Sequence, residues 1–351
     1  MKNLFTKIYS VLLIVLITAV FGEIKAAEWE KILNLKGTWK FSIGDDINRS
    51  LPDYDDSDWE TIRVPSSWEN EGFYGYNGYA WYRKEFQLPD KINSSVVFLD
   101  LGAIDDVDQT FINGNLIGAS GTFPPDYQTA YYANRKYPVP IKYLKPGKNV
   151  IAVRVFDSEL EGGILRGDIG LYIRTNSLSA DINLEGEWKF CTGDNKEWAN
   201  PDYDDKNWRQ IIVPGFWETQ GFNGYDGFAW YRNSFFVSSK FKDKKLVLIA
   251  GRIDDLDEVY LNGVLIGSTG EIHDNPFANS QSNEYQQFRG YFIPDGVIKI
   301  SGENTVAVRV WDGFKDGGIY EGPVGIITQE KYTKFWRERR KNKNIFELFF
   351  E

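Results

Sequence analysis

The chain has 351 residues with 50 acidic and 40 Lys or Arg side chains, and its net charge of −10 argues against nucleic acid as a partner. Hydrophobic residues make up an ordinary 42%, but 16% are aromatic, so ring packing must account for much of the core. The single cysteine, Cys191, excludes an intrachain disulfide and leaves stability to burial.

Residues 1–27 have the layout of a signal peptide. Lys2 and Lys7 precede an apolar run from Ile8 to Phe21, and Ala26 and Ala27 follow. The run is short for a membrane span, and no Cys follows it to take a lipid. A secreted, periplasmic or cell-envelope protein is expected, with an uncleaved anchor as the competing reading.

From there LKGTWKFSIGD, Leu35 to Asp45, predicts a strand with Trp39 and Phe41 on one face. PDYDDSDW, ending at Trp59, lacks the glycine and the glutamate of an EF-hand loop and reads as a solvated acidic turn anchored by its Trp. IRVPSSWE ends at Glu69, and a glycine-rich corner leads into AWYRKEF. Alternation there puts Tyr82 and Phe86 on a core face and Trp81 and Arg83 on the opposite one. LGAIDDVDQTFINGNLIG, Leu101 to Gly118, reads as a strand, an acidic corner at Asp105 and Asp106, a second strand and an Asn113-Gly114 hairpin turn. NRKYPVP, LKPGKNVIAVRVFD and EGGILRGDIGL complete the unit. Gly162 and Gly163 mark a loop whose backbone bends tightly or is closely approached.

The whole series then recurs. Asp254 follows Asp105 by 149 residues, as Asn262 follows Asn113, so one structural unit is written twice. By Asp312, the counterpart of Asp157, the offset is 155, which places extra residues near His273 to Ser282. The expected domains are residues 28–176 and 177–330, joined in the polar stretch Thr175 to Asn183. Residues 331–351 form a basic, amphipathic tail with Ile345, Leu348 and Phe349 at helical spacing. It is read as a helix lying on the second domain, or as the approach to a membrane or envelope contact. Short strands punctuated by Gly, Pro, Asn and Asp, with no sustained helical period before residue 331, predict an all-β chain of two tandem sandwiches.

With AWYR, the acidic-corner strand ending in NG and IG, and VIAVRVFD or TVAVRVWD with GGI in place, each copy resembles the sugar-binding jelly-roll domain of glycoside hydrolase family 2. It is similar also to the accessory module of sialate O-acetylesterases. The resemblance implies two galactose-binding-like jelly rolls and an exported, non-catalytic carbohydrate-binding role. The family 2 acid and nucleophile glutamates belong to a separate TIM barrel, for which the tail after the second sandwich is too short. An esterase would need a Ser–His pair, and the only histidine, His273, lies in the inserted loop without a GxSxG elbow elsewhere.

The candidate ligand-binding residues are Glu69, Trp81, Arg83, Asp105 and Asp106 in the first copy and Glu218, Trp230, Arg232, Asp254 and Asp255 in the second. A Trp offers an apolar platform to a sugar ring, and Arg and carboxylates offer hydrogen bonds to hydroxyls. The competing reading buries both Trp residues under a loop. Adjacent Asp residues on a strand point to opposite faces and are poorly placed to flank one bond, so loop hydrogen bonding is their expected task. No cofactor is implied, with a structural calcium ion at the acidic corners as the alternative. Other readings are the sensing ectodomain of a truncated membrane protein and an accessory part of a glycosidase or acetylesterase. Cys191 reads as a small strand residue, not as a reactive thiol.

Overall fold

The computed structural model describes residues 29–343 apart from 90, 91, 93, 95, 176, 177 and 274–282. The leader expected at residues 1–27 lies outside them. In the first copy the strands are β1 (Trp29–Asn34), β2 (Gly37–Ile43), β3 (Glu60–Val64), β4 (Gly78–Gln87), β5 (Val96–Asp105) and β6 (Val107–Ile112). They are followed by β7 (Asn115–Ser120), β8 (Asn134–Pro140), β9 (Lys148–Asp157), β10 (Gly163–Arg166) and β11 (Gly170–Arg174). One antiparallel sheet has the order β3-β2-β4-β9-β6-β7. The other has the order β1-β11-β5-β10, with β8 paired to β5 as well.

The second copy repeats this plan. Its strands are β12 (Ile182–Asn183), β13 (Gly186–Thr192), β14 (Arg209–Val213), β15 (Gly227–Val237) and β16 (Leu246–Asp254). Then come β17 (Leu256–Leu261), β18 (Val264–Thr269), β19 (Arg289–Phe292), β20 (Gly302–Asp312) and β21 (Gly318–Thr328). The sheets run β14-β13-β15-β20-β17-β18 and β12-β21-β16-β19, with one long β21 doing the work of β10 and β11. The all-β expectation holds. One core draws on residues between Leu35 and Leu171, the other on residues between Leu184 and Ile326.

Alternation accounts for the cores directly. Trp39, Phe41, Tyr82 and Phe86 are all buried in the first, and Trp188, Phe190, Tyr231 and Phe235 in the second. The hairpins turn at Asn113 and Asn262, with φ of 49° and 50°. Beyond each turn a glycine is required for space. A Cβ on Gly118 would lie 2.1 Å from the Tyr137 ring, and one on Gly267 2.1 Å from Tyr291.

Those two tyrosines belong to a buried polar cluster that sequence patterning did not foresee. Arg135 and Asp108 form an ion pair at 2.9 Å with both side chains 0% exposed. Tyr137 and Thr110 donate to the same carboxylate. The guanidinium also donates to the carbonyls of Ala130, Ala133 and Asp106, so β8, its preceding loop and the acidic corner share one side chain. Arg289 repeats the arrangement with Asp257, Tyr291 and the carbonyls of Glu284, Gln287 and Asp255.

The two copies touch. Arg174 donates to the Gly322 carbonyl, Asn223 to the Gly121 carbonyl, and Tyr143 to Glu187. The C-terminal helix α1 (Gln329–Lys343) forms on the basic stretch. Its Tyr332 and Phe335, three residues apart on one face, pack with Leu178, Val247, Ile249 and Ile327 of the second copy. The helix-on-sandwich reading is therefore what is seen, while Ile345, Leu348 and Phe349 lie outside the described residues. No helix among the described residues is long and apolar enough to cross a membrane.

Removing one partner of a fully buried ion pair leaves the other charge uncompensated. Arg135→Met is expected to destabilise the protein by about 3–5 kcal/mol in urea unfolding. The Arg135→Met, Asp108→Leu double variant should recover much of that loss, because no charge is then left buried. A double variant as unstable as the single one would show that the pair does not account for the loss.

Candidate functional site

The Trp–Arg faces of β4 and β15 are closed. Trp81 and Trp230 are buried completely and Arg83 and Arg232 nearly so. Trp81 packs with Phe111, Ala152 and Trp59, and its indole N–H donates to Asp45. Arg83 donates to Asp56 at 2.7 Å and to the carbonyls of Arg49 and Leu51. Arg232 repeats this with Asp205 and the carbonyls of Trp198 and Asn200. The acidic PDYDD turn is therefore only partly solvated: one of its aspartates is the counter-ion of the strand arginine. The expectation of a sugar platform at Trp81–Arg83 and Trp230–Arg232 is corrected, because the turn between β2 and β3, or between β13 and β14, covers it.

The remaining candidates converge. Asp105 ends β5 and Asp106 lies between β5 and β6, where the chain passes from one sheet to the other, so strand alternation does not separate them. Asp105, Asp106 and Asp157 each bring a carboxylate oxygen within 4.8 Å of the others, as do Asp254, Asp255 and Asp312. The expectation that neighbouring aspartates diverge is thus overturned in both copies. Glu69 accepts from the Gly162 amide beside the first corner, and Glu218 from the Gly317 amide beside the second. The tight glycine loop is closely approached as expected: a Cβ on Gly162 would lie 2.1 Å from the Trp68 ring.

In the first corner three loops meet. Asp106 accepts from Tyr127, Thr129 and both the amide and hydroxyl of Ser158. Asn77, with its amide nitrogen turned inward, lies 3.1 Å from Asp157 Oδ2. The charges divide accordingly. Burial and the neighbouring Asp106 push Asp105 up to about 7. Asp106 opposes its own burial with hydrogen bonds from Asp105, Thr129 and Tyr127 and is held at about 2. Carboxyls split in this way can act as acid and base, but Asp106 is occupied with holding loops.

Sequence reasoning missed Asp157 and Asp312 as members of these corners. The signal was present, since each closes the VRVFD or VRVWD strand opposite a glycine, Gly78 or Gly227. In the second corner Asp226 stands where the first has Asn77. Burial, with a smaller contribution from nearby carboxylates, pushes Asp312 up to about 7 and Glu218 up to about 9. Cys191 is half-buried with its thiol pushed up by burial, consistent with a strand residue. His273 is half-buried at the edge of the inserted loop.

Residues 44–161 and 192–316 match the family described as the β-galactosidase second all-β domain, together more than half of the chain. A putative β-glucuronidase of Formosa agariphila is 32% identical over 140 residues, 36% of this chain and 13% of that protein. β-Galactosidase BoGH2A of Bacteroides ovatus is 28% identical over 147 residues, 38% of this chain and 16% of its own length. The chain thus aligns with a small fraction of the curated relatives it matches. Among solved structures, a β-glucuronidase of Bacteroides uniformis aligns over 82% of this chain and 28% of its own, at 16% identity and a TM-score of 0.34.

Two outcomes follow from the covered face. Trp81→Ala should destabilise folding by about 3–5 kcal/mol in chemical denaturation, as for a core ring. The second concerns Asp45 and Asp194. Burial raises each, but the Arg154 and Arg309 guanidinium groups outweigh it and hold the folded values below the ordinary 3.8. Their contribution is therefore complete above about pH 4 and lost as pH falls through the depressed folded values. Melting temperature should drop between pH 4 and pH 2, and less steeply in Asp194→Asn. An unchanged slope in that variant would remove Asp194 from the account.

Proposed function

The chain belongs to the family of the β-galactosidase second all-β domain, and from that premise we propose that it is an exported, non-catalytic carbohydrate-binding protein of the accessory kind found beside glycosidase catalytic domains. The supporting observation is the first acidic corner. Three loops converge there on Asp105, Asp106 and Glu69, and the loop carrying Asn77 also carries Tyr74, 92% exposed. A sugar needs an apolar ring to lie on and oxygen acceptors for its hydroxyls; Tyr74, on the loop whose Asn77 reaches Asp157, offers the first, and Asp105 and Glu69 offer the second. The carboxylates repel uronates, so neutral glycans of the β-galactoside class are the better match. Export rests on the leader pattern of residues 1–27. The small aligned share of the β-glucuronidase and β-galactosidase relatives favours, as a second reading, the same role as a module of a longer glycosidase.

Affinity electrophoresis in gels holding neutral galactans tests this. Retardation is expected, and Tyr74→Ala should weaken binding about three- to tenfold with an unchanged melting temperature. Aryl β-galactosides and aryl acetates should not be turned over above a buffer blank. Migration unaffected by every neutral polysaccharide tried would sink the proposal.

A further inference from the structure

Each of the three loops at the first corner is tied to it. The loop after β7 brings Tyr127 and Thr129 to Asp106. The loop after β9 brings Ser158 to Asp106 and the Gly162 amide to Glu69. The loop before β4 runs from Glu69 to Asn77, which lies 3.1 Å from Asp157. Each loop also lifts one large apolar side chain into water. Tyr74, Leu160 and Tyr132 are 92%, 81% and 78% exposed, the three most exposed large hydrophobic side chains among the described residues. Single apolar residues are ordinary on a surface. Here the three stand on the three loops that hold one group of carboxylates. Leu160 keeps φ at 70°, unfavourable for a residue with a Cβ, between the anchored Ser158 and Gly162. Tyr131 braces Tyr132 edge-on at 5.8 Å, and Arg135 fixes their turn from behind through the Ala130 and Ala133 carbonyls.

The second copy fills the same positions differently. Asn223 stands where the first copy has Tyr74, and it donates to the Gly121 carbonyl of that copy. Counted from Arg289 and Asp312, Gln286 replaces Tyr132 and Lys315 replaces Leu160. Phe314, 65% exposed, is the apolar tip that remains. From this contrast we infer that the first corner takes an internal stretch of a neutral polysaccharide, several sugar units long, and that the second takes no glycan. The inference rests on the carbohydrate-binding reading and adds the length and position of what is bound. At such exposures Tyr74, Leu160 and Tyr132 do not shield one another, so they are separate platforms and not one cluster. A single sugar reaches one of them, whereas successive rings of a chain can use several, with hydroxyls toward the carboxylates between. Contacts that are weak alone gain affinity when one ligand links them. The anchoring bonds set the tips beforehand, which lowers the ordering cost of binding. Tips open to water on separate loops also leave both ends of the ligand free to run on.

The test is calorimetric titration of the full chain with a linear neutral galactan and with its oligosaccharides of increasing length. Affinity should rise about tenfold or more from one sugar unit to four. The polymer should saturate with many protein molecules per chain, where recognition of ends would allow only as many as there are ends. Tyr132→Ala should weaken binding of the longer oligosaccharides about three- to tenfold and flatten the rise with length, at an unchanged melting temperature. Phe314→Ala, an exposed ring lost from the second copy, should change nothing. Equal affinity at every length, saturation at the number of chain ends, or a Phe314→Ala loss as large as that of Tyr132→Ala would overturn the inference and leave the carbohydrate-binding reading standing. Failure to bind any neutral glycan would end both.

Discussion

Each sandwich depends on one buried arginine. Arg135 enters from β8, neutralises Asp108 on β6, and donates to the carbonyl of Asp106 at the crossing from one sheet to the other. Asp106 lies between β5 and β6; its amide donates to the Phe156 carbonyl of β9, and its carbonyl accepts from the Ala130 amide as well as from Arg135. The ion pair is isolated from water, so each partner makes the other tolerable, and Tyr137 and Thr110 occupy much of the remaining capacity of the carboxylate. Whatever the corner does, its backbone is positioned from behind by this contact. Arg289 does the same for Asp255 in the second copy.

Much of the fold could be read from the chain. Two-residue alternation placed Trp39, Phe41, Tyr82 and Phe86 in the core, and the Asn-Gly pairs located both hairpins. The site was harder to read. Alternation says which face a side chain takes but not what covers that face, so it puts Trp81 and Arg83 on the correct side and leaves a ligand platform and burial under a loop as competing readings, of which the structure shows the second. The missing information was the Arg83–Asp56 pair, whose 27-residue separation recurs between Arg232 and Asp205. Asp105 and Asp106 depart from strand alternation for the opposite reason, because β5 ends at Asp105 and Asp106 lies beyond it. Ile345, Leu348 and Phe349 lie outside the described residues; among those described, Tyr332 and Phe335 in the basic part of the tail pack on the second sandwich.

Repetition here separates architecture from chemistry. The buried arginine, the covered tryptophan and the hairpin asparagine recur with matching partners in both copies. At the corners the partners diverge: Asn77 becomes Asp226, and the Tyr127–Thr129 loop of the first copy gives way to the inserted segment of the second. Because the two cores share no residues, a corner can change in one copy without disturbing packing in the other. That independence lets the two acidic corners differ in their partners on one scaffold.

The hairpin asparagines also bear on how the protein ages. Asn-Gly is the dipeptide most prone to deamidation, since glycine leaves its backbone nitrogen free to attack the side-chain amide. In this fold the Asn113 amide nitrogen donates to the Tyr143 carbonyl and to Asn149, while its oxygen accepts from the Val150 amide. Asn262 is held identically by Val297, Asn304 and Thr305. Succinimide formation must first break three hydrogen bonds, and the aspartate it leaves would set a carboxylate against the Tyr143 or Val297 carbonyl and its neighbouring amide oxygen. The turn that starts each hairpin is therefore protected by its own fold, and loss of folding should be what exposes it to chemical decay.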